Sequence, residues 1–219
     1  MKKKIVLISA VVLMMFGCSL NEARAVNLPD PVVDERINAD ETERKIVVAG
    51  GCFWGIEAVF LHLKGVKNAV SGYAGGESGT AAYDQVSRGN TGHAEAVEIT
   101  YDPQQVTMGT ILKIFFSVAH DPTQLNAQGP DHGTQYRSAI FYEGDEQKEV
   151  ARQYIDQIDA TDLLGKKITT TLEPLDQFYP AESHHQNYVA FHPDSMYVIV
   201  HDAPKLVAFE GNFPNLYVK

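Results

Sequence analysis

Cys52 is the residue of this sequence best placed to act as a nucleophile. It lies in the segment GGCFWG, residues 50–55, where an apolar run ends in two glycines and a helical pattern begins. The first amides of a helix have no partner within it and carry partial positive charge, so they favour an anion such as a thiolate. We therefore expect the Cys52 thiol to be more acidic than a free cysteine. Residue type and position alone leave a second interpretation open, that of a small buried hydrophobe.

The residues after Cys52 predict an apolar surface beside the thiol. Phe53 and Trp54 follow it directly, with no polar partner nearby in the sequence. Glycines at 50, 51 and 55 allow tight backbone geometry and the close approach of a substrate. The Phe53 and Trp54 side chains would form an apolar receptacle beside Cys52.

Composition excludes several classes of protein. The 219 residues include only two cysteines, Cys18 and Cys52, so neither a disulfide framework nor a cysteine-rich zinc site is available. The formal net charge of −10 argues against nucleic acid as a partner, because phosphate binding needs a basic face. We expect a globular monomer with no bound metal or cofactor.

The elements that must position Cys52 follow one another in the order β-α-β-β-α-β. Hydrophobic periodicity predicts strands over 46–49, 66–73, 94–101, 138–142 and 169–172, and helices over 53–63, 107–119 and 145–159. The first six elements are typical of an α+β ferredoxin-like split βαβ sandwich, in which helices cover one face of a mixed sheet. Two long loops, 75–92 and 121–136, lie between these elements and are expected to be functional. The tail over 176–219 is expected to wrap around the domain.

The first 18 residues are typical of an export signal. Three lysines at 2–4 precede an apolar run over 5–16 that is too short for a permanent membrane anchor. Because this run ends directly at Gly17, we expect a lipoprotein signal in which Cys18 becomes the lipidated first residue. Ordinary cleavage after Ala25 is the alternative.

The segment between the signal and the first strand predicts a linker. Residues 19–44 contain Pro29, Pro31 and many charges but no hydrophobic period. We expect the catalytic domain to span 45–219. The protein would be exported, and either anchored to a membrane through the lipid alone or free in the periplasm or outside the cell.

Further motifs follow Cys52 along the chain. They are Gly72-Tyr73-Ala74-Gly75-Gly76, Tyr83, Gly92-His93-Ala94-Glu95-Ala96-Val97, Tyr101-Asp102-Pro103, the segment DHGTQYRS over 131–138, and Glu182 with His185-Gln186 and Tyr188. Together with Gly51-Cys52-Phe53-Trp54-Gly55, they resemble in type and order the A-type peptide methionine sulfoxide reductases. The resemblance spans about residues 45–200, nearly the whole domain.

The resemblance implies the reduction of methionine S-sulfoxide, free or in proteins, to methionine, and so the repair of oxidative damage. Cys52 would attack the sulfoxide sulfur and end as a sulfenic acid, and Glu95 would be the general acid that protonates the oxygen. Hydroxyls of Tyr83 and Tyr136 would stabilise the developing charge on that oxygen. Three further residues would bind the substrate: Phe53, Trp54 and Asp131.

One departure from the family changes the expected redox cycle. Many members carry resolving cysteines near the C-terminus, whereas this sequence has none after Cys52, and Val198 stands about where the first is often found. The oxidised Cys52 must then react with an external thiol, from a thioredoxin-like or glutaredoxin-like protein or from a small molecule.

Three other interpretations remain open from the residues alone. A cysteine-dependent hydrolase or transferase would need a histidine within hydrogen-bond reach of Cys52. A non-enzymatic surface module would use the aromatic residues to bind apolar ligands. A metal site on Glu182, His184 and His185 is a weak third interpretation, because these residues show no clear ligand geometry.

Overall fold

The structure is a computed structural model that describes residues 25–219. The predicted export signal over 1–18, with Cys18, lies outside these residues. The strands are β1 (Arg44–Gly50), β2 (Val66–Ala74), β3 (Ala94–Tyr101), β4 (Ala127–Gln128), β5 (Asp131–His132), β6 (Ser138–Tyr142), β7 (Thr171–Pro174) and β8 (Phe178–Pro180). The helices are α1 (Phe53–Leu61), α2 (Tyr83–Val86), α3 (Met108–Ile114), α4 (Gly144–Thr161), α5 (Tyr188–Phe191) and α6 (Ala203–Asn212).

Six strands form one mixed sheet in the order β7-β6-β1-β3-β2-β8. Neighbouring strands are antiparallel except β6 and β7, which run parallel. The remaining strands, β4 and β5, form a small separate hairpin. The α+β class and the mixed sheet predicted from the sequence are thus confirmed.

The two faces of the sheet are covered differently. Alternate residues of β1 point to opposite faces, so Ile46 and Val48 join the large core beneath the helices, while Val47 and Ala49 join a smaller cluster on the other face. That smaller cluster consists mainly of alanines and is covered by Leu175 and Phe178 rather than by a helix. Most of the buried apolar surface therefore lies between the sheet and α1, α3 and α4.

The turn from β1 into α1 places Cys52 at the start of a buried helix. Gly51 has a φ of +100°, in the region that favours glycine, and a Cβ there would lie 2.6 Å from the Gln128 side chain. Cys52 is the N-cap residue of α1. Seven of the nine residues of α1 are buried, because the sheet covers one side of the helix and α6 packs on another.

Several segments differ in detail from the sequence prediction. The predicted helix over 107–119 is α3 followed by a π-helical turn, Phe115–Ala119. The loop over 75–92 contains a 3-10 turn and α2, and the loop over 121–136 contains β4, β5 and a second 3-10 turn. The tail adds β8 to the sheet edge, then forms α5, a π turn Val198–Asp202 and α6. It ends in a bridge between Tyr217 and Leu63, so it does wrap around the domain.

Residues 25–43 form no helix or strand, yet they pack on the domain. Leu28 is buried, and the carboxylate of Glu35 accepts hydrogen bonds from the Tyr101 hydroxyl at 2.8 Å and from Arg44 at 2.6 Å. Part of the predicted linker therefore lies along the domain surface. Within residues 25–219, none of the helices has the length and apolar character needed to cross a membrane.

Candidate active site

Cys52 lies almost entirely out of solvent, with 9% of its surface exposed and its thiol free. Burial raises the pKa of the thiol well above its usual value, and the carboxylates of Glu95 and Asp202 raise it further. The Trp54 amide and the Lys205 ammonium act in the opposite direction. The expectation of an unusually acidic thiol is therefore wrong, because burial and two nearby carboxylates outweigh the favourable helix terminus.

Glu95 faces the start of α1 from the second position of β3. It shares the helix-covered face of the strand with Val97 and Ile99, and only 2% of its surface is exposed. Its Oε2 accepts a hydrogen bond of 3.1 Å from the amide of Phe53, the residue after the cysteine. Burial raises the pKa of Glu95 to about 8, and Asp131 adds to this rise, while the Phe53 amide opposes it. Glu95 is therefore mostly protonated at neutral pH, as a general acid must be.

Two tyrosines from the long loops complete the surroundings of the thiol. Tyr83 begins α2 in the first loop, and Tyr136 ends the 3-10 turn of the second. Burial and the charge of Glu95 raise the pKa of both phenols, with Cys52 a further cause in each case. Both phenols thus remain protonated, and each lies close enough to Glu95 and Cys52 for their charges to affect its pKa, while the catalytic roles of Tyr83 and Tyr136 stay predictions.

Trp54 is held in an aromatic wall on the tail side of the site. Its ring stacks on Tyr188 with centroids 3.6 Å apart and an angle of 7° between planes, and it meets Tyr197 edge-on at 5.7 Å. The indole N–H donates to Nδ1 of His185 at 3.2 Å, which fixes the orientation of the ring. Trp54 keeps part of its surface exposed, so it can contact a substrate.

Phe53 differs from Trp54 in being fully buried. Its ring lies 5.9 Å from that of Tyr73 and 5.2 Å from that of His185, measured between centroids. Its predicted contact with substrate stays a prediction, since no part of the ring is open to solvent in this structure.

Asp131 accepts a hydrogen bond from the Tyr197 hydroxyl, whose pKa is raised by burial and by Cys52. Sequence reasoning missed Tyr197, because the tail could not be assigned to elements. Its signal was a lone hydroxyl in the apolar stretch MYVIV, residues 196–200. Asp131, the third predicted substrate-binding residue, is thus tied to the aromatic wall.

The polar side chains of the late motif serve the site by fixing its geometry. Glu182 accepts from the Tyr73 hydroxyl at 2.8 Å and from the Tyr83 amide at 2.9 Å. His185 supports Trp54, as described above. Among residues 25–219, no cluster of three metal-binding side chains is found, and no histidine makes a hydrogen bond to Cys52.

The fold and the site define a cysteine-dependent enzyme of the α+β class, with a nucleophile at a helix start and a protonated carboxyl beside it. The model of the peptide methionine sulfoxide reductase family matches residues 44–215. The peptide methionine sulfoxide reductase MsrA 2 of Mesorhizobium japonicum is 54% identical over 171 residues, which is 78% of this chain and 88% of the relative. The protein of the same description from Synechocystis sp. is 53% identical over 190 residues, which is 85% of this chain and 88% of the relative.

A solved structure agrees with these relatives. Mxr1 from Saccharomyces cerevisiae in reduced form has a TM-score of 0.63 and 34% identity, covering 75% of this chain and 92% of the other. The chain belongs to the peptide methionine sulfoxide reductase family. It is an oxidoreductase that reduces methionine sulfoxide.

Proposed function

We propose that this protein reduces the S epimer of methionine sulfoxide, free or in oxidised proteins, through a sulfenic acid on Cys52. The observation that carries the proposal is the hydrogen bond between the buried carboxyl of Glu95 and the first amide of α1. It holds a protonated acid beside the thiol, where the sulfoxide oxygen must receive a proton.

In the reductive step, the Cys52 thiolate attacks the sulfoxide sulfur while Glu95 donates its proton to the oxygen. The oxygen is transferred to the cysteine sulfur, so methionine sulfoxide and a thiol become methionine and a sulfenic acid. Two electrons pass from the cysteine sulfur to the methionine sulfur. Hydroxyls of Tyr83 and Tyr136 donate to the oxygen as its negative charge grows.

Substrate binding uses the aromatic wall. Trp54 offers the S-methyl group an apolar ring whose position is fixed by Tyr188 and His185. Asp131, bonded to Tyr197, contributes to the polar side of the same wall. The two sides together select one epimer, because exchanging the oxygen and the lone pair on sulfur would point the oxygen away from Glu95.

An external thiol completes the cycle. It attacks the sulfenic acid to give a mixed disulfide and water, and a second thiol then releases Cys52 as the other disulfide forms. The sequence has no cysteine after Cys52, and the buried Val198 stands about where the first resolving cysteine of the family is often found. A thioredoxin-like or glutaredoxin-like protein or a small thiol would serve, with no bound cofactor.

The proposal is tested by an assay of the purified protein on separated S and R epimers of methionine sulfoxide with dithiothreitol. We expect the S epimer alone to be reduced, and Cys52→Ser to abolish turnover. Equal reduction of both epimers would contradict the proposed selectivity, and activity retained in Cys52→Ser would contradict the mechanism.

The remaining sequence predictions complete the proposal. The order β6-β1-β3-β2, with antiparallel neighbours, supports a ferredoxin-like split βαβ arrangement for the centre of the sheet. We further propose an export signal over 1–18 of the lipoprotein type, a catalytic domain over 45–219, and a monomer outside the cytoplasm. Of the linker predicted over 19–44, residues 25–43 pack on that domain and Arg44 begins β1. The mass of the mature protein tests the signal: a lipid on Cys18 is expected, and an unmodified N-terminus at Val26 would contradict it.

A further inference from the structure

A pair of opposite charges lies buried against α1 beside the catalytic cysteine. Asp202 ends the π turn, and Lys205 lies one turn later in α6, with its Nζ 3.3 Å from Oδ1 of Asp202. The Asp202 side chain is fully buried and that of Lys205 is 13% exposed. Among the described residues, Oδ2 of Asp202 has no hydrogen-bond partner. A buried carboxylate oxygen left unsatisfied destabilises the fold, so stability alone does not account for this side chain.

The pair is seated on the first turn of α1, where Gly55 makes room for it. A Cβ at Gly55 would lie 2.1 Å from Oδ1 of Asp202 and 2.6 Å from Nζ of Lys205. Gly55 is the third residue of the helix whose N-cap is Cys52. Both charges therefore lie within about one helical turn of the nucleophile's backbone.

The π turn gives the tail two residues that face the site. In an α-helix, residues four apart share a face, whereas a π turn closes a ring between residues five apart. Tyr197 immediately precedes the π turn and contacts Trp54, while Asp202 ends it and contacts α1. The wider turn thus lets both side chains point inward, and such turns are frequent at functional sites.

We propose that Asp202 and Lys205 are a positioning pair for the catalytic cysteine, whose opposed charges set the electrostatic potential at the Cys52 sulfur. The inference rests on the proposed function, in which a thiolate attacks the sulfoxide. The Asp202 carboxylate disfavours negative charge on that sulfur and the Lys205 ammonium favours it. The other titratable groups that act on Cys52 or are acted on by it are Glu95 and the phenols of Tyr83, Tyr136 and Tyr197.

Two single variants of opposite sign test the proposal in the full chain. The pH dependence of Cys52 alkylation by iodoacetamide is followed by mass spectrometry of the Cys52 peptide, so that Cys18 does not contribute. Asp202→Asn should move the midpoint to lower pH by about one unit, because an isosteric neutral group leaves the lysine charge uncompensated. Lys205→Met should move the midpoint up by a similar amount, and the double variant should return near the wild-type value.

The controls separate electrostatics from folding. Glu210 lies in α6, like Lys205, and forms an exposed ion pair with Lys219 at 3.6 Å. Glu210→Gln removes that pair and should leave the alkylation midpoint unchanged. Lys205→Arg keeps the positive charge and should also leave the alkylation midpoint unchanged. If Lys205→Met does not fold, Lys205→Gln takes its place.

Midpoints that do not move, or that move in the same direction in both single variants, would overturn the proposal. A purely structural pair predicts one of those two results, because loss of either partner would then loosen the same contact. The readout needs no sulfoxide, so it stands whether or not the proposed reaction is correct. A failure of the epimer assay and a failure of this one are therefore distinguishable.

Discussion

Cys52 and Glu95 must be treated as a coupled pair. Burial raises the pKa of both groups, and the charge of Glu95 raises that of the thiol further. In the proposed reaction the reactive form, a thiolate beside a protonated carboxyl, carries one proton between the two groups. When the pair holds one proton, that proton is mostly on the thiol, and the thiolate with a protonated carboxyl is the minor arrangement. The two apparent pKa values therefore describe the pair and not either residue alone.

The first prediction concerns the rate of sulfenic acid formation. Glu95→Gln should slow this step about 10²- to 10⁴-fold at neutral pH, because the amide cannot donate a proton to the leaving oxygen. In the wild type, the single-turnover rate should rise with pH to about 8, level off, and fall again when the second proton is lost. In Glu95→Gln, the rate should rise with the fraction of Cys52 present as thiolate and should not fall again at high pH.

Rapid-quench measurement of methionine formed in the absence of reductant checks this prediction. Glu98→Gln, in the same strand but paired with Lys45 on the surface, is a matched control and should behave as the wild type. A Glu95→Gln rate close to that of the wild type would show that another group is the acid.

The second prediction concerns stability, since the same carboxyl should destabilise the fold at alkaline pH. Its pKa is about 8 when folded, above the usual 4.5, so the folded state binds this proton more tightly than the unfolded state. The stability that this binding contributes is fully present below pH 4.5 and is lost as pH rises to about 8. Glu95→Gln should therefore be more stable than the wild type at pH 9, by on the order of 3–5 kcal/mol.

Urea unfolding at several pH values measures the difference between the two chains. The change with pH reports Glu95 together with the groups whose pKa its charge raises, chiefly Cys52. A stability difference that is the same at pH 4 and pH 9 would contradict the raised pKa.

At the scale of elements, the segment after β8 is the part that holds the loops of the site in place. Gln186 bonds the edge of β2 through the Ser71 amide and carbonyl, and Glu57 of α1 accepts from the Asn187 amide at 2.8 Å. Glu182 links Tyr73 in the sheet to Tyr83 in α2. The position of Tyr83 thus depends on an anchor, the Glu182 carboxylate, which accepts from its backbone amide.

The third prediction follows from that anchor. Glu182→Ala should lower kcat/KM about 10- to 100-fold, because the first turn of α2 loses its acceptor and Tyr83 is no longer held. The free energy of unfolding should fall by about 1–3 kcal/mol through the two lost hydrogen bonds. Glu182→Gln keeps one acceptor oxygen, so its kcat/KM and its free energy of unfolding should lie between those of the wild type and of Glu182→Ala. Crystallography or steady-state kinetics showing Tyr83 and kcat/KM unchanged in Glu182→Ala would refute the role.

Sequence reasoning predicted the elements whose burial is periodic and missed those fixed by distant contacts. β1, α1, β2 and β3 could be predicted within a few residues, since each has an apolar face that the core covers. The π turns and α5 could not, because a widened turn or a four-residue helix has no period of its own. The acidity of Cys52 was predicted with the wrong sign. Burial of the thiol raises its pKa most, followed by the charges of Glu95 and of Asp202, which is 150 residues away in the chain, and these are facts of the tertiary structure.

At the scale of the whole molecule, the redox capacity of the domain described by the structure, residues 25–219, is limited to one cysteine. Cys52 is the sole cysteine among residues 25–219, and it is free. Its sulfenic acid forms in a buried site flanked by aromatic rings, where no second thiol of the domain can reach it. The oxidised enzyme should therefore persist until an external thiol arrives, and its lifetime should depend on the concentration of that thiol.

The fourth prediction is the stoichiometry of a single turnover. With excess methionine S-sulfoxide and no reductant, the protein should release one methionine per chain, because a sulfenic acid stores one two-electron oxidation. Mass spectrometry should show one added oxygen atom on the Cys52 peptide, or the dimedone adduct when that trap is present. Cys18→Ser should give the same yield, since Cys18 is not expected to take part. A disulfide between Cys18 and Cys52, formed with the same single equivalent of methionine and absent in Cys18→Ser, would instead identify Cys18 as a resolving cysteine and require residues 19–44 to fold back over the site. A second equivalent of methionine would contradict a turnover that ends at one two-electron oxidation of Cys52.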